Sequence, residues 1–258
     1  MPAPRFEPAP ISASGRLRIA VRLSVMVLLL ILCVVFYYVW RLFGPHNPWP
    51  RIFLGGIDWL AGVEIRVHGP RNRKGAFLLA NHVSWIDIPA IAAASGSAFV
   101  GHDGLAGHPF LRWLCRMNDT VFIARHDRKS VAAQVAQVRE AIRDTGALTI
   151  FPEGTTSDGI GLLPFKSSLL SALDPVPPGI VVQPLWLDYG RDVAEIAWIG
   201  EEPGLTNFMR ILARKRPLEL NVHFLPPLEG GTLASRKTIA LAARDAILEA
   251  MAAQRVAL

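Results

Sequence analysis

The chain has 258 residues, enough for one globular domain of ordinary to large size plus a short appendage, and enough to bury a full core. Hydrophobic residues make up 51% and charged residues 19%, too apolar for a purely soluble protein and too charged, after residue 41, for a polytopic membrane protein. The balance of 27 Lys+Arg against 21 Asp+Glu gives +6, which favours nucleic acid or anionic lipid as partner; two cysteines, Cys33 and Cys115, without metal or redox spacing argue against a disulfide framework and sulfur-based chemistry.

The first element is LSVMVLLLILCVVFYYVW, Leu23 to Trp40, 18 residues without a charge between Arg22 and Arg41. That length is the lower limit for crossing a hydrocarbon core of about 30 Å. A cleaved signal peptide competes with this reading. The run is long for such a segment, however, no small-residue cleavage site follows, and Tyr37, Tyr38 and Trp40 suit interface anchors. Arg5, Arg16, Arg18 and Arg22 precede the run, so a strict positive-inside reading puts the large domain across the membrane from the amino terminus. A second apolar patch, IFLGGIDWLAGV, follows Pro45, Pro48 and Pro50. The two patches together read as a re-entrant hairpin in one leaflet that keeps both chain ends on one side. Residues 1–62 then form a basic tail with membrane-anchoring helices, and residues 63–258 the main domain.

The rest alternates short β-rich runs with helical patterns, which predicts an α/β fold: a layered, mostly parallel sheet flanked by helices. The strands expected are 63–67, 76–80, 97–100, 120–124, 147–151, 180–187, 194–199 and 218–224. Between the fourth and fifth, Val131, Val135, Val138 and Ile142 recur at helical spacing, with Ser130 placed to cap and Gly146 to stop the helix. Residues 232–255 read as a closing amphipathic helix. In NFMRILARKRP (207–217), Arg210, Arg214, Lys215 and Arg216 read either as a solvated helix end or as a second contact with anionic headgroups.

Three stretches carry candidate chemistry. NHVSWIDIP (81–89) follows the apolar run 76–80, so His82 falls at the carboxyl end of a strand, where ligands bind in open α/β sheets. Asp87, in the first turns of the next helix, can fold back onto the ring, fix its tautomer and stabilise the imidazolium. Two plainer readings make Asp87 a capping residue: Ser84 as N-cap with Asp87 third, or Asp87 itself as N-cap with Pro89 in the first turn. VFIARHDRK (121–129) ends a strand on Arg125, with Arg128 and Lys129 behind it. It reads as an anion site or a solvated loop. FPEGTTSDG (151–159) reads as an oxyanion- or anion-binding turn, or as an ordinary polar one. Glu153, after Pro152, is the residue a plain turn explains least.

NHVSWID, VFIAR, FPEGTTSDG with LLPFK, and VVQPLWL, in that order, resemble the glycerolipid acyltransferases of the lysophosphatidic acid acyltransferase type. The resemblance covers roughly residues 63 to 225. It implies that His82 is the general base, that Asp87 orients it, and that Arg125 helps bind the acceptor's polar head. Glu153 and Gly154 match the third motif, with Thr155, Thr156 and Lys166 beside them in the substrate site, and Gln183-Pro184-Leu185 matches the fourth. A membrane-inserted helical pair at the amino terminus is also implied. Where phosphatidic-acid-forming members read Glu-Gly-Thr-Arg, this chain has Thr156, and EGTTSDG with LPFKSSL looks more like the bacterial lyso-ornithine lipid acyltransferases. The basic and acidic pair usual early in the second motif is replaced by GHDGLAGHPF (101–110).

The function expected is lysolipid O-acyl transfer from an acyl carrier protein or coenzyme A thioester, with lyso-ornithine lipid the favoured acceptor. Synthesis of phosphatidic acid from lysophosphatidic acid is the alternative within the class. A lipid ester or thioester hydrolase and a non-catalytic membrane lipid-binding protein are the alternatives outside it. No metal and no cofactor beyond the acyl thioester is expected, and no nucleic acid, since the cations are not interleaved with aromatics. The setting expected is a bacterial inner membrane with the site facing the cytoplasm.

Overall fold

The structure is a computed structural model that describes residues 10–44, 47–72, 74–101, 109–122 and 131–256. Its centre is a seven-stranded sheet in the order β1-β7-β6-β2-β5-β3-β4. The strands are β1 (Val63–His68), β2 (Ala76–Ala80), β3 (Ala98–Gly101), β4 (Val121–Phe122), β5 (Ala147–Ile150), β6 (Val181–Asp188) and β7 (Leu218–Phe224). Every neighbouring pair is parallel except β6 with β7, so the sheet is mixed and mostly parallel.

The sequence of β2, AFLLA, explains its central place. A strand covered on both faces reads as a continuous apolar run, and all five residues are buried. Ala76, Leu78 and Ala80 point into one core layer, with Ile86 and Ile91. Phe77 and Leu79 point into the other, with Val138, Ile142, Ile239 and Ala243. Each buried Phe or Leu side chain is worth roughly 1.5–3 kcal/mol. At β7 the pattern changes to strict alternation, with Leu218, Leu220, Val222 and Phe224 buried.

Around the sheet lie helices α3 (Asp87–Ser95), α4 (Pro109–Met117), α5 (Val131–Thr145), α6 (Val193–Ile196), α7 (Gly204–Leu212) and α8 (Arg236–Val256). α5 ends as its sequence predicts: Gly146 adopts φ +84° and its N–H returns to the Ile142 carbonyl. Its proposed cap, Ser130, lies outside the described residues. α8 starts four residues later than the pattern suggested, behind a short 3₁₀ turn. There Ser235 and Thr238 each accept the other's backbone N–H.

The expected strand 194–199 does not form. Val193–Ile196 is a helical turn, because the Asn207 amide takes the Ile196 and Ala197 carbonyls and leaves no ladder to build. Arginines of 207–217 also find internal partners. Arg210 pairs with buried Glu202, and Arg214, itself buried, pairs with Asp192 and Glu195. That favours the structural reading of this segment over a headgroup contact.

The amino-terminal region contains α1 (Ala13–Trp40) and α2 (Trp49–Ala61). Contacts between residues 36 and 49, 29 and 56, and 22 and 62 run in opposite order, so the two helices are antiparallel. Gly56 allows this approach, since a Cβ there would collide with Leu29. At 1.5 Å per residue α1 is about 42 Å long. Val27, Leu28, Ile31, Leu32, Val35 and Phe36 on α1 are exposed, as is Trp59 on α2 at 77%. So large an apolar surface suits lipid rather than water.

Candidate active site

Strands β2, β3, β5 and β6 all run the same way, and their carboxyl ends share one edge. β2 lies between β5 and β6, and the turns that leave those three strands carry the candidate residues. His82 leaves β2, Phe151-Pro152-Glu153-Gly154 leaves β5, and Tyr189 leaves β6. This is the edge at which an open α/β sheet binds its ligands.

His82 Nδ1 lies 2.7 Å from Asp87 Oδ2. The Asp87 side chain is 0% exposed and that of His82 is 17% exposed. An ionised carboxylate only accepts, so Nδ1 carries the proton, and Nε2 is the nitrogen free to take one from a substrate. The ring stacks on Phe151 at 4.0 Å, which fixes its plane. Asp87 Oδ2 also accepts the N–H groups of Val83 (2.6 Å) and Ser84 (3.0 Å), and Oδ1 accepts the Tyr189 hydroxyl. Four donors around a carboxylate replace the water that burial removed. The helix proper starts at Asp87 behind Ile86, so Asp87 is not itself the N-cap. Its carboxylate turns back onto the Ser84 N–H, as the reading with Asp87 third from Ser84 expects, and this is compatible with orienting His82.

Glu153 works on the same turn from the other side. Its Oε1 accepts the His82 N–H at 2.8 Å and its Oε2 the Leu163 N–H at 2.9 Å. Burial pushes its carboxyl pKa up, and these backbone N–H groups pull it part of the way back. The His82 carbonyl takes the Ser157 N–H, and the Val83 carbonyl takes the Trp198 N–H. The backbone around His82 is thereby fully engaged, so the imidazole stands on a rigid turn.

The remaining sequence-predicted residues divide. Gly154 has φ +70°, a conformation that favours glycine, and a Cβ there would meet Lys166 Nζ at 3.1 Å, so the Lys166 ammonium lies close beside this turn. The Gly154 N–H is taken by the Phe151 carbonyl, which removes it as an oxyanion donor. Thr155 lines the cavity described below. Thr156 turns away, donating its hydroxyl to the Trp198 carbonyl. Gln183 is structural, its amide donating to the Pro70 and Leu225 carbonyls. Arg125, Arg128 and Lys129 lie outside the described residues, as does most of 101–110. Ser84 and Ser157 are engaged in the scaffold: Ser84 donates to Asn207, and Ser157 to the His82 carbonyl. Sequence reasoning passed over Tyr189 and Asp58. Tyr189 occupies the same strand-end position that singled out His82, and that rule would have found it.

His82, Phe151, Gly154 and Thr155 open on a cavity of about 1300 Å³. The opposite wall is apolar and comes from α1, α2 and α4, through residues such as Leu30, Phe53, Ile57 and Leu114. It is larger than most small-molecule sites, which span about 300–1,000 Å³. A base at the rim of a long apolar chamber suits a substrate with a polar reacting end and a hydrocarbon tail.

The chain has relatives among known proteins. The acyltransferase family model matches residues 64–188. The lyso-ornithine lipid O-acyltransferase of Rhodobacter capsulatus is 34% identical over 94% of this chain and 93% of its own length. The chain belongs to the acyltransferase family. A further family member, the 1-acyl-sn-glycerol-3-phosphate acyltransferase of Neisseria meningitidis, is 36% identical over 48% of each chain. Among solved structures, the 1-acyl-sn-glycerophosphate acyltransferase PlsC of Thermotoga maritima superposes with a TM-score of 0.62. It covers 93% of this acyltransferase and 98% of its own chain at 20% identity, a likeness of fold. The chain is therefore an enzyme that transfers acyl groups, and its α1 is long and apolar enough to cross a membrane.

Proposed function

We propose that this acyltransferase moves a fatty acyl group from an acyl carrier protein or coenzyme A thioester to the hydroxyl of a lysolipid, and that lyso-ornithine lipid is its preferred acceptor. The observation that carries the reading is the His82–Asp87 pair set at the rim of the apolar cavity. His82 Nε2 takes the hydroxyl proton as the oxygen attacks the thioester carbonyl. Asp87 stabilises the imidazolium, which then returns the proton to the departing thiolate. Positioned base catalysis of this kind contributes about 10²–10⁴-fold. Lys166, beside Gly154, supplies positive charge for the developing oxyanion or for the acceptor's headgroup, and Arg125 acts on the headgroup. Glu153 holds the turn that carries His82, and the cavity takes an acyl chain.

Two features favour lyso-ornithine lipid over lysophosphatidic acid. Thr156 occupies the place of a phosphate-binding arginine, and its hydroxyl is committed to the Trp198 carbonyl. Relatives that match 84–94% of the chain carry the lyso-ornithine name, whereas those named for 1-acyl-sn-glycerol-3-phosphate match 70% or less. The setting proposed is a bacterial inner membrane with the helical pair α1–α2 as anchor and the site on the cytoplasmic side.

The test uses purified full-length chain with labelled acyl carrier protein or coenzyme A thioester. The acceptors are lyso-ornithine lipid, lysophosphatidic acid or none. Transfer to lyso-ornithine lipid should dominate, and His82→Ala should lose about 10²–10⁴-fold. Faster product from lysophosphatidic acid selects the phosphatidic acid alternative. Release of free fatty acid without acceptor at a comparable rate makes the protein a hydrolase.

A further inference from the structure

Tyr189 is the first residue after β6, and its side chain lies almost wholly out of water at 3% exposure. Its hydroxyl donates to Asp87 Oδ1. The three other donors to Asp87 come from His82, Val83 and Ser84, within five residues of it. Tyr189 alone among these donors reaches the carboxylate from another strand. Its place is set by the sheet. β2 and β6 pair in parallel through Ala80 and Leu185. Beyond that pair, Asn81 and Leu187 exchange two hydrogen bonds of 2.7 and 3.1 Å. The two strand ends are clamped, and the phenol has one position from which to meet Asp87.

We propose that Tyr189 is a positioning residue for acyl transfer: its phenol fixes the Asp87 carboxylate and moderates how strongly that carboxylate pulls on the His82 imidazole. This rests on the general-base reading of His82 given above. A carboxylate oxygen with a donor in place has its charge partly met, which lowers its pull on the Nδ1 proton. Without the hydroxyl, Oδ1 faces a phenyl ring, and more of the charge is satisfied through His82. The imidazole then binds its proton more tightly and is neutral, as a base must be, only at higher pH. Burial keeps the Tyr189 phenol protonated throughout the working range, with Asp87 adding to the effect, so it remains a donor. The other titratable groups facing this cluster among the described residues are Asp58 from α2 and Glu153 from the turn after β5. Tyr189→Phe leaves both in place.

The experiment compares wild type, Tyr189→Phe and His82→Ala as full-length protein in detergent micelles. It records kcat and KM for acyl donor and lysolipid acceptor from about pH 5.5 to 9.5, with a thermal melt for folding. Tyr189→Phe should lower kcat by about 10- to 100-fold, the scale of one hydrogen bond to a charged group. KM should stay within about twofold, and the acid limb of the pH profile should move to higher pH. A second probe does not depend on the variant folding. The chain has three tyrosines, and Tyr37 and Tyr38 lie on α1, so uniform 3-fluorotyrosine labelling perturbs the site through Tyr189 only. The more acidic phenol donates more strongly and should move the acid limb to lower pH. An unmoved acid limb in both, or a loss confined to KM, overturns the role of Tyr189. A fully active His82→Ala protein overturns the general-base reading as well, so the two failures are distinguishable.

Discussion

Asp58, on α2, is 2% exposed, and neither of its carboxylate oxygens has a hydrogen-bond partner among the described residues. Burial, with a smaller contribution from the nearby Asp87 charge, raises its pKa from 3.8 to about 8. Asp58 is therefore neutral in the folded protein at pH 7, while the unfolded chain releases that proton above its ordinary pKa. The native state binds the extra proton between those two values, so stability falls as pH rises from about 4 to 8 and is level beyond. Each unit is about 1.36 kcal/mol, so holding Asp58 protonated costs the fold about 4 kcal/mol at pH 7. Asp58→Asn removes the ionisation and keeps the shape. Its melting temperature in detergent micelles, relative to wild type, should rise steadily between pH 5 and 7. The relative gain over those two units is about 3 kcal/mol, or about 5–10 °C for a chain of this size. Intrinsic tryptophan fluorescence provides the melt. A gap between variant and wild type that stays constant across pH would refute the reasoning, because it would mean that Asp58 has a partner or is ionised in the fold.

Other substitutions test the scaffold under the dyad. Glu153→Gln puts an amide NH₂ against either the His82 or the Leu163 N–H, where the carboxylate accepted both. It should cost about 2–3 kcal/mol in a thermal melt, and kcat should fall by about 10²-fold as the His82 turn shifts. Gly154→Ala forces an L side chain into φ +70° and crowds the Lys166 ammonium. The strain of about 1 kcal/mol should be small beside the loss of transfer rate; intact activity would show that Lys166 does not serve the reaction.

The core sheet and the dyad were legible in the sequence for reasons specific to each. AFLLA announces a strand buried on both faces, and His82 follows it directly, so strand ends and ligand edge come from one short stretch. The hidden parts depend on partners far along the chain. Residues 194–199 alternate like a strand, but Asn207 takes two of the carbonyls that a ladder would need, and nothing local foretells that. Asp87 reaches back to the Ser84 N–H, half of the capping arrangement the local sequence suggests, but its donor on the other oxygen, Tyr189, lies 102 positions away, where nothing local foretells it. Thr156 was read as a site residue from its neighbours in the motif, whereas its hydroxyl is drawn off by the Trp198 carbonyl. The basic residues near 210–216 left a solvated helix end and a lipid contact both open, since the acids that pair with Arg210, Arg214 and Arg216, namely Asp192, Glu195 and Glu202, precede them in a separate segment.

The amino-terminal pair contributes to more than attachment. Arg18 and Arg22 on α1 donate to the carbonyls of Leu212, Ala213 and Arg214 at the end of α7, with distances of 2.8–3.1 Å. Carbonyls at a helix end lack intrahelical donors, so these arginines cap α7 and fasten α1 to the domain at one step. Burial lowers the Arg22 pKa, with Arg18 adding to the effect, and the guanidinium stays charged. The fastened portion ends where the uncharged run begins, at Leu23, so residues 23–40 are the part of α1 left for lipid. That same run, through Met26, Leu30 and Cys33, forms a wall of the cavity that His82 faces. One helix thus presents an exposed apolar side outward and lines, with its other side, the cavity that His82 faces. On the function proposed above, a lipid substrate entering from a bilayer along α1 would have its polar end delivered to the sheet edge while its tail moved from one apolar environment to another. The transfer costs little hydrophobic free energy, because the hydrocarbon need not cross water.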